Sequence, residues 1–155
     1  MDDLPAPGLD LAARFSVEVG APVEIGDTGH GLRRLIPILG GSVGGPLLRG
    51  RVLAGGADFQ TVEAGGVARL EARYALELDD GTRVYVVNHA LRRAAPEVTA
   101  RLVRGEAVDP ALVYFRCAPR FEVGPGPWRW LAEHVFLGTG VRRPATVEMA
   151  FFVVR

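Results

Sequence analysis

A chain of 155 residues that is 48% hydrophobic is long enough for one domain around a single core and leaves little length for a second. Its 18 basic and 18 acidic residues cancel, which removes the basic field a nucleic-acid partner needs, and no apolar run approaches the length of a membrane span. Every one of the 18 basic residues is arginine, so Schiff-base chemistry, an anchored pyridoxal phosphate and a GK[ST] phosphate loop are all excluded. A lone Cys117 forbids an internal disulfide and suits a reducing compartment. The opening MDDLPAPGLD is acidic where a signal peptide is basic. A soluble, cytoplasmic protein without nucleic-acid or membrane partners is expected.

Residues 1–10 read as a flexible N-terminal tail and 11–155 as a single β-barrel domain. Short runs rich in Val, Leu, Phe and Tyr, punctuated by Gly and Pro, predict strands over 11–19, 32–39, 46–53, 59–63, 67–78, 82–89, 112–123, 135–137 and 145–154. GGSVGG at 40–45 and GTG at 138–140 lack the spacing of a dinucleotide fingerprint and read as tight turns. One helix is expected after Pro96, with Val98 and Leu102 on one face and Gly105 as its left-handed stop; PWRWLAEHV, 127–135, allows a further turn or two. The fold class is all-β with minor α: a single antiparallel barrel of about eight strands and one short helix.

Within 70–90, Asp80-Gly81 signals a two-residue hairpin, which pairs Arg73 with Asn88 and Glu77 with Val84 and puts Glu71, Arg73 and Asn88 on one face. A three-residue loop would shift this pairing by one. The chain holds one Gln and one Asn, Gln60 and Asn88, and both fall in these adjoining strands. In a barrel lumen, Asp58 and Gln60 would alternate inward together, with Glu71, Arg73, Asn88 and Arg116 joining from neighbouring strands. Two plainer readings stand beside this one: Glu71 and Arg73 form a surface ion pair, and Asp58 with Gln60 caps the turn after Gly55-Gly56. His30, His89 and His134 lack metal-ligand spacing, and Ser16 and Ser42, the two serines, lie in no nucleophile elbow. No metal and no cofactor are expected.

The blocks RRLIPILGGSVGGPLLRGRVLAGGADFQ, ARYALELDDGTRVYVVN, YFRCAPRFE and WRWLAEHVFLGTGVR, in this order and spacing, resemble the small barrels grouped as domain of unknown function 3237, also called uncharacterised protein family 0311. The resemblance implies an antiparallel barrel of the allene oxide cyclase type, with some members encoded beside natural-product or aromatic-degradation enzymes. Residue by residue it carries the family's blocks onto Gly55 to Gln60, Ala72 to Tyr74, Asn88, Tyr114 to Arg116, and Trp130 with Leu131. Ala132 departs from the family's usual Asn. The candidate catalytic residues are therefore Asp58, Arg73, Glu71 and Arg116, and the candidate substrate-binding residues Gln60, Asn88, Tyr114 and Trp130. The expected function is a cofactor-independent isomerase, cyclase or lyase acting on a small apolar oxygenated metabolite. The alternatives are a non-catalytic small-molecule-binding barrel and a homo-oligomeric accessory protein using its outer face.

Overall fold

The computed structural model describes residues 3–155. Its strands are β1 (Leu9–Val19), β2 (Val23–Asp27), β3 (Leu32–Gly44), β4 (Gly50–Val52), β5 (Ala57–Val62), β6 (Val67–Leu78), β7 (Arg83–Arg93), β8 (Tyr114–Glu122), β9 (Phe136–Arg142) and β10 (Thr146–Val154), with one helix, α1 (Pro96–Val103). All pairings are antiparallel. They run from β1 through β10, β9, β8, β7 and β6; β4 and β5 share the place between β6 and β3, and β3 returns to β1. β2 continues the line of β1 along the other half of β3. The sheet thus closes into an eight-stranded barrel, with β2 paired along β3 alone.

Alternation dictates which side chains fill it. On β8, Phe115, Cys117, Pro119 and Phe121 are buried while Tyr114, Arg116, Ala118 and Arg120 are exposed. One end is plugged by aromatic edges: Phe15 meets Phe151 at 4.6 Å, Phe121 meets Phe136 at 4.9 Å, and Leu76, Leu78, Val84, Val86 and Leu131 complete the seal. Such edge-to-face pairs add about 0.5–1.5 kcal/mol each beyond the area they bury. α1 lies at the other end. It opens on Pro96, and its Thr99 hydroxyl donates to Gly66 O (2.8 Å) while Val103 O accepts from Arg34 (3.1 Å).

The structure differs from the sequence reading in four places. Leu78 N donates to Thr82 O and Gly81 N to Leu78 O, both at 2.8 Å, so the β6–β7 loop has three residues, with Gly81 at φ +87°. Asp80 fixes that loop by accepting from Thr82 N (2.9 Å) and from Trp128 Nε1 (2.7 Å). Every partner moves by one, giving Ala72 opposite Asn88 and Arg73 opposite Val87. Second, GTG is no turn but the middle of β9: a Cβ on Gly138 would lie 2.6 Å from Cys117 Sγ and from Phe151, so glycine is there to let neighbours pack through it. GGSVGG likewise belongs to β3, where Gly41 abuts the backbone at Ser16. Third, the structure has a strand, β2, over a stretch where the sequence predicts none, because it is short and largely exposed. Fourth, pairing with the C-terminus starts at Gly8, whose N and O both bond Arg155, so Leu9 and Asp10 are strand rather than tail; Met1 and Asp2 lie outside the described residues.

Candidate functional site

β5 delivers the central carboxylate. The chain leaves β4 and turns at Gly55, whose φ of +109° disfavours a side chain, and Gly56 then lies against Tyr74, where a Cβ would be 2.5 Å from the Tyr74 Cβ. β5 resumes opposite β6 with Asp58 and Gln60 turned inward. Cross-strand register aligns three inward rows: Ile36, Asp58, Ala72, Asn88; then Arg34, Gln60, Leu70, Ala90, Cys117, Gly138; then Leu32, Val62, Ala68, Arg92, Phe115. Directly opposed Cβ atoms in such rows are about 5 Å apart. The small residues Ala72 and Ala90 stand between larger neighbours, and above them is a cavity of about 50 Å³ walled mainly by Val17, Ile36, Ile38, Leu70, Phe115 and Met149. Val19 and Arg142 belong both to this chamber and to an outer groove of about 390 Å³ beside the end of α1.

The polar groups of the chamber are incompletely paired. Gln60 Nε2 donates to Asp58 Oδ2 (2.8 Å). Asp58 Oδ1, Gln60 Oε1, Asn88 Oδ1, and Arg92 Nε and Nη2 are sealed from solvent and have no hydrogen-bond partner among the described residues. Arg34 differs: its Nε (3.1 Å) and Nη2 (2.9 Å) both donate to Glu24 Oε1. Arg142 donates to the backbone at Arg143 and, at 3.2 Å, at Thr146.

Burial dominates the ionisation of this cluster. Asp58 is partly exposed as a residue, but its Oδ1 is covered, and loss of hydration raises its carboxyl above the ordinary 3.8; the Gln60 hydrogen bond and then Arg92, Arg142 and Arg34 oppose the rise without cancelling it. Burial pulls Arg92 down to about 10 against the attraction of Asp58. Arg142 is lowered by burial and by Arg34. Tyr74 is pushed upward by burial, then by Cys117 and Asp58, so its phenol keeps its proton. Burial pushes Cys117 up to about 11, which leaves a thiol rather than a nucleophilic thiolate at neutral pH. The chamber therefore holds a carboxyl group whose burial favours the protonated form, a phenol, two amide carbonyls and incompletely compensated guanidinium charge against an apolar wall. Such a set can donate a proton and hold a developing oxyanion.

Of the residues singled out from the sequence, Asp58, Gln60 and Asn88 meet in this chamber. Glu71, Arg73 and Arg116 do not. The shifted β6–β7 pairing takes Asn88 to the face of Ala72, and Arg73 is on the opposite, outward face, where its Nη2 donates to Glu71 Oε1 (2.8 Å) and its Nη1 to Tyr85 (3.3 Å); His89 Nε2 lies 3.4 Å from the same Glu71 oxygen. That is the surface ion pair held open as the plainer reading. Arg116 lies over the ring of exposed Tyr114 at 5.4 Å and donates to Thr139 (3.0 Å), so both residues belong to the outer face of β8. Trp130 packs 6.1 Å from Phe136 at the plugged end and lines no part of the chamber.

The arginines that do reach the chamber region, Arg34, Arg92 and Arg142, are not among the residues the sequence singles out, and Tyr74, which lies in one of the family's blocks, is given no role there. Each of these arginines belongs to an adjacent pair, Arg33-Arg34, Arg92-Arg93 and Arg142-Arg143, and in each pair the other member is exposed. Two neighbouring residues in a strand point to opposite faces, so Arg33-Arg34 on β3 and Arg92-Arg93 on β7 each send one guanidinium inward, while Arg142 ends β9 in step with inward Gly138 and Gly140.

Residues 7–154 match the family model described as "Protein of unknown function (DUF3237)". A UPF0311 protein of Bradyrhizobium diazoefficiens is 47% identical over 138 residues, covering 88% of this chain and 90% of its own length. A conserved protein of unknown function from Rhodopseudomonas palustris has a crystal structure with TM-score 0.91 at 38% identity, covering 98% of this chain and 100% of that one. An enzyme from Penicillium herquei superposes with TM-score 0.74 at 19% identity over 100% of both chains, a likeness of fold alone.

Proposed function

The chain belongs to the DUF3237 family of proteins of unknown function, and from that starting point we propose that it is a cofactor-independent enzyme of the isomerase, cyclase or lyase type. Its substrate is a small, largely apolar, oxygenated metabolite held in the barrel chamber. The observation that carries this reading is the cluster of sealed, unpaired polar atoms on Asp58, Gln60, Asn88 and Arg92 around a cavity with apolar walls. Leaving one buried polar atom unpaired costs about 1–3 kcal/mol, so five in one chamber amount to a built recognition surface rather than a packing accident. That a barrel of this shape serves as an enzyme in Penicillium herquei is consistent with chemistry in such an interior.

In this reading Asp58 moves the proton: as the carboxylate, made a stronger base by burial, it takes the proton from the carbon next to the substrate carbonyl, and as the resulting acid it gives the proton back, while Arg142 stabilises the negative charge that develops on the carbonyl oxygen in between. Gln60 orients the acid through its 2.8 Å hydrogen bond, and Asn88 and Tyr74 orient the substrate. Apolar walls hold a single reactive conformer, where positioning alone lowers barriers by several kcal/mol. The test is deuterium wash-in at the carbon next to the carbonyl of cyclohexanone and 2-cyclohexenone in D2O, followed by NMR. Wild-type protein should accelerate exchange, and Asp58→Asn should reduce that acceleration at least about tenfold while preserving the circular dichroism spectrum. Equal exchange by both proteins removes Asp58 from the chemistry and leaves a binding barrel.

A further inference from the structure

We infer that the ligand of this chamber carries a carboxylate, and that the Nε–Nη2 edge of Arg92 receives it. The inference rests on the chamber being the ligand site and adds to it the chemical class of the ligand. Arg92 is 3% exposed, and its two sealed, unpaired atoms are Nε and Nη2. These are not any two of the guanidinium nitrogens. Their N–H bonds run parallel, and together they form the side-on fork that matches the two oxygens of a planar carboxylate. The same edge engages a carboxylate elsewhere in the molecule, for Arg34 Nε and Nη2 both donate to a single oxygen, Glu24 Oε1, at 3.1 and 2.9 Å.

Charge leads to the same ligand. Glu24 neutralises Arg34, which leaves Arg92 and Arg142 facing the single carboxyl of Asp58, and no ion pair joins Asp58 to either among the described residues. A buried cation without a partner is unfavourable by several kcal/mol, and an incoming anion removes that penalty. A flat monoanion fits better than a tetrahedral dianion: one bidentate edge is offered, and the apolar-walled void of about 50 Å³ takes the carboxylate end while the body of the ligand extends past Val19 and Arg142 toward the outer groove of about 390 Å³. The carbonyl oxygen of Gln60, fixed in orientation by the amide's donation to Asp58, faces the same chamber without a donor and suits a hydroxyl on the ligand.

Benzoate, its neutral isostere benzamide and inorganic phosphate separate the alternatives by calorimetric titration of the full chain. Benzoate should bind, benzamide should bind at least about tenfold more weakly, and Arg92→Lys, which keeps the charge and loses the fork, should weaken benzoate at least about tenfold with no change for benzamide. Should that variant not fold, the Arg92 Nε–H resonance of the wild-type protein gives the same answer: benzoate should shift it and benzamide should not. Benzamide binding as tightly as benzoate overturns the carboxylate while leaving the chamber as a binding site. Phosphate binding more tightly than benzoate, or no benzoate binding at millimolar concentration, overturns it as well. None of these results alters the Asp58→Asn exchange assay on neutral ketones, which tests the catalytic reading alone.

Discussion

Ala72 is the residue through which the chamber can be closed without touching any polar group. It sits in one cross-strand row between Asp58 and Asn88, and the void above it measures about 50 Å³. Ala72→Val places two methyl groups in that void on a strand position that favours β-branching. At about 24 cal/mol per Å³, filling the whole void would stabilise the fold by at most about 1.2 kcal/mol, or about 2–5 °C for a chain of this size. The expected result is therefore a thermal midpoint that holds or rises within that range, together with at least about a tenfold loss of benzoate affinity and of proton exchange on cyclohexanone. Differential scanning calorimetry and titration calorimetry on the same preparation read both quantities. A variant that gains stability and still binds benzoate as the wild type does would show that the void is a packing defect and not the site. A midpoint lowered by the several degrees that overpacking brings would show that there is no room above Ala72 at all.

The raised Asp58 carboxyl sets a pH dependence of stability. The folded state holds this proton above pH 3.8, where the unfolded chain has released it, so the contribution of Asp58 is complete below that value and declines as pH rises through the folded one. Asp58→Asn should flatten this decline and be at least as stable at neutral pH, as read by urea midpoints between about pH 4 and 8; a steeper decline in the variant would contradict the assignment. Arg73→Ala and Arg116→Ala, both on the outer wall, should leave benzoate affinity and exchange rates unchanged, and a loss in either would bring that residue back into the site. Gly138→Ala forces a Cβ to within 2.6 Å of Cys117 and Phe151 and should destabilise by about 1–3 kcal/mol, with partial recovery when combined with Cys117→Ala; an unchanged midpoint would mean that β9 packs less closely here.

Much of the scaffold is legible from short-range pattern, because its causes are local. Alternating apolar residues specify β6, β7 and β8 to within a few positions, and Pro96 and Gly105 bracket α1 as proline and glycine do at helix ends. That Asp58 and Gln60 share a face follows from their spacing of two on β5. β2 and the β9 glycines were harder to read, because β2 presents little apolar surface and Gly138 is explained only by Cys117 and Phe151 from other strands.

What local pattern cannot supply is the choice of face. Alternation fixes how residues within one strand relate to one another, but which half points inward is decided by pairing with neighbours and by closure of the barrel. A single residue in the β6–β7 loop, three where two would also satisfy Asp80-Gly81, moves Asn88 from the face of Arg73 and Glu71 to the face of Ala72 and Tyr74, and closure of the barrel then turns that second face into the chamber. The three arginines Arg34, Arg92 and Arg142 come from strands far apart in the chain and meet only because the sheet closes on itself. The sequence alone determined that this protein is a β-barrel with Asp58 and Gln60 on one wall; only the closed tertiary structure decided which cations would face them, since burial and charge pairing act through space and not along the chain.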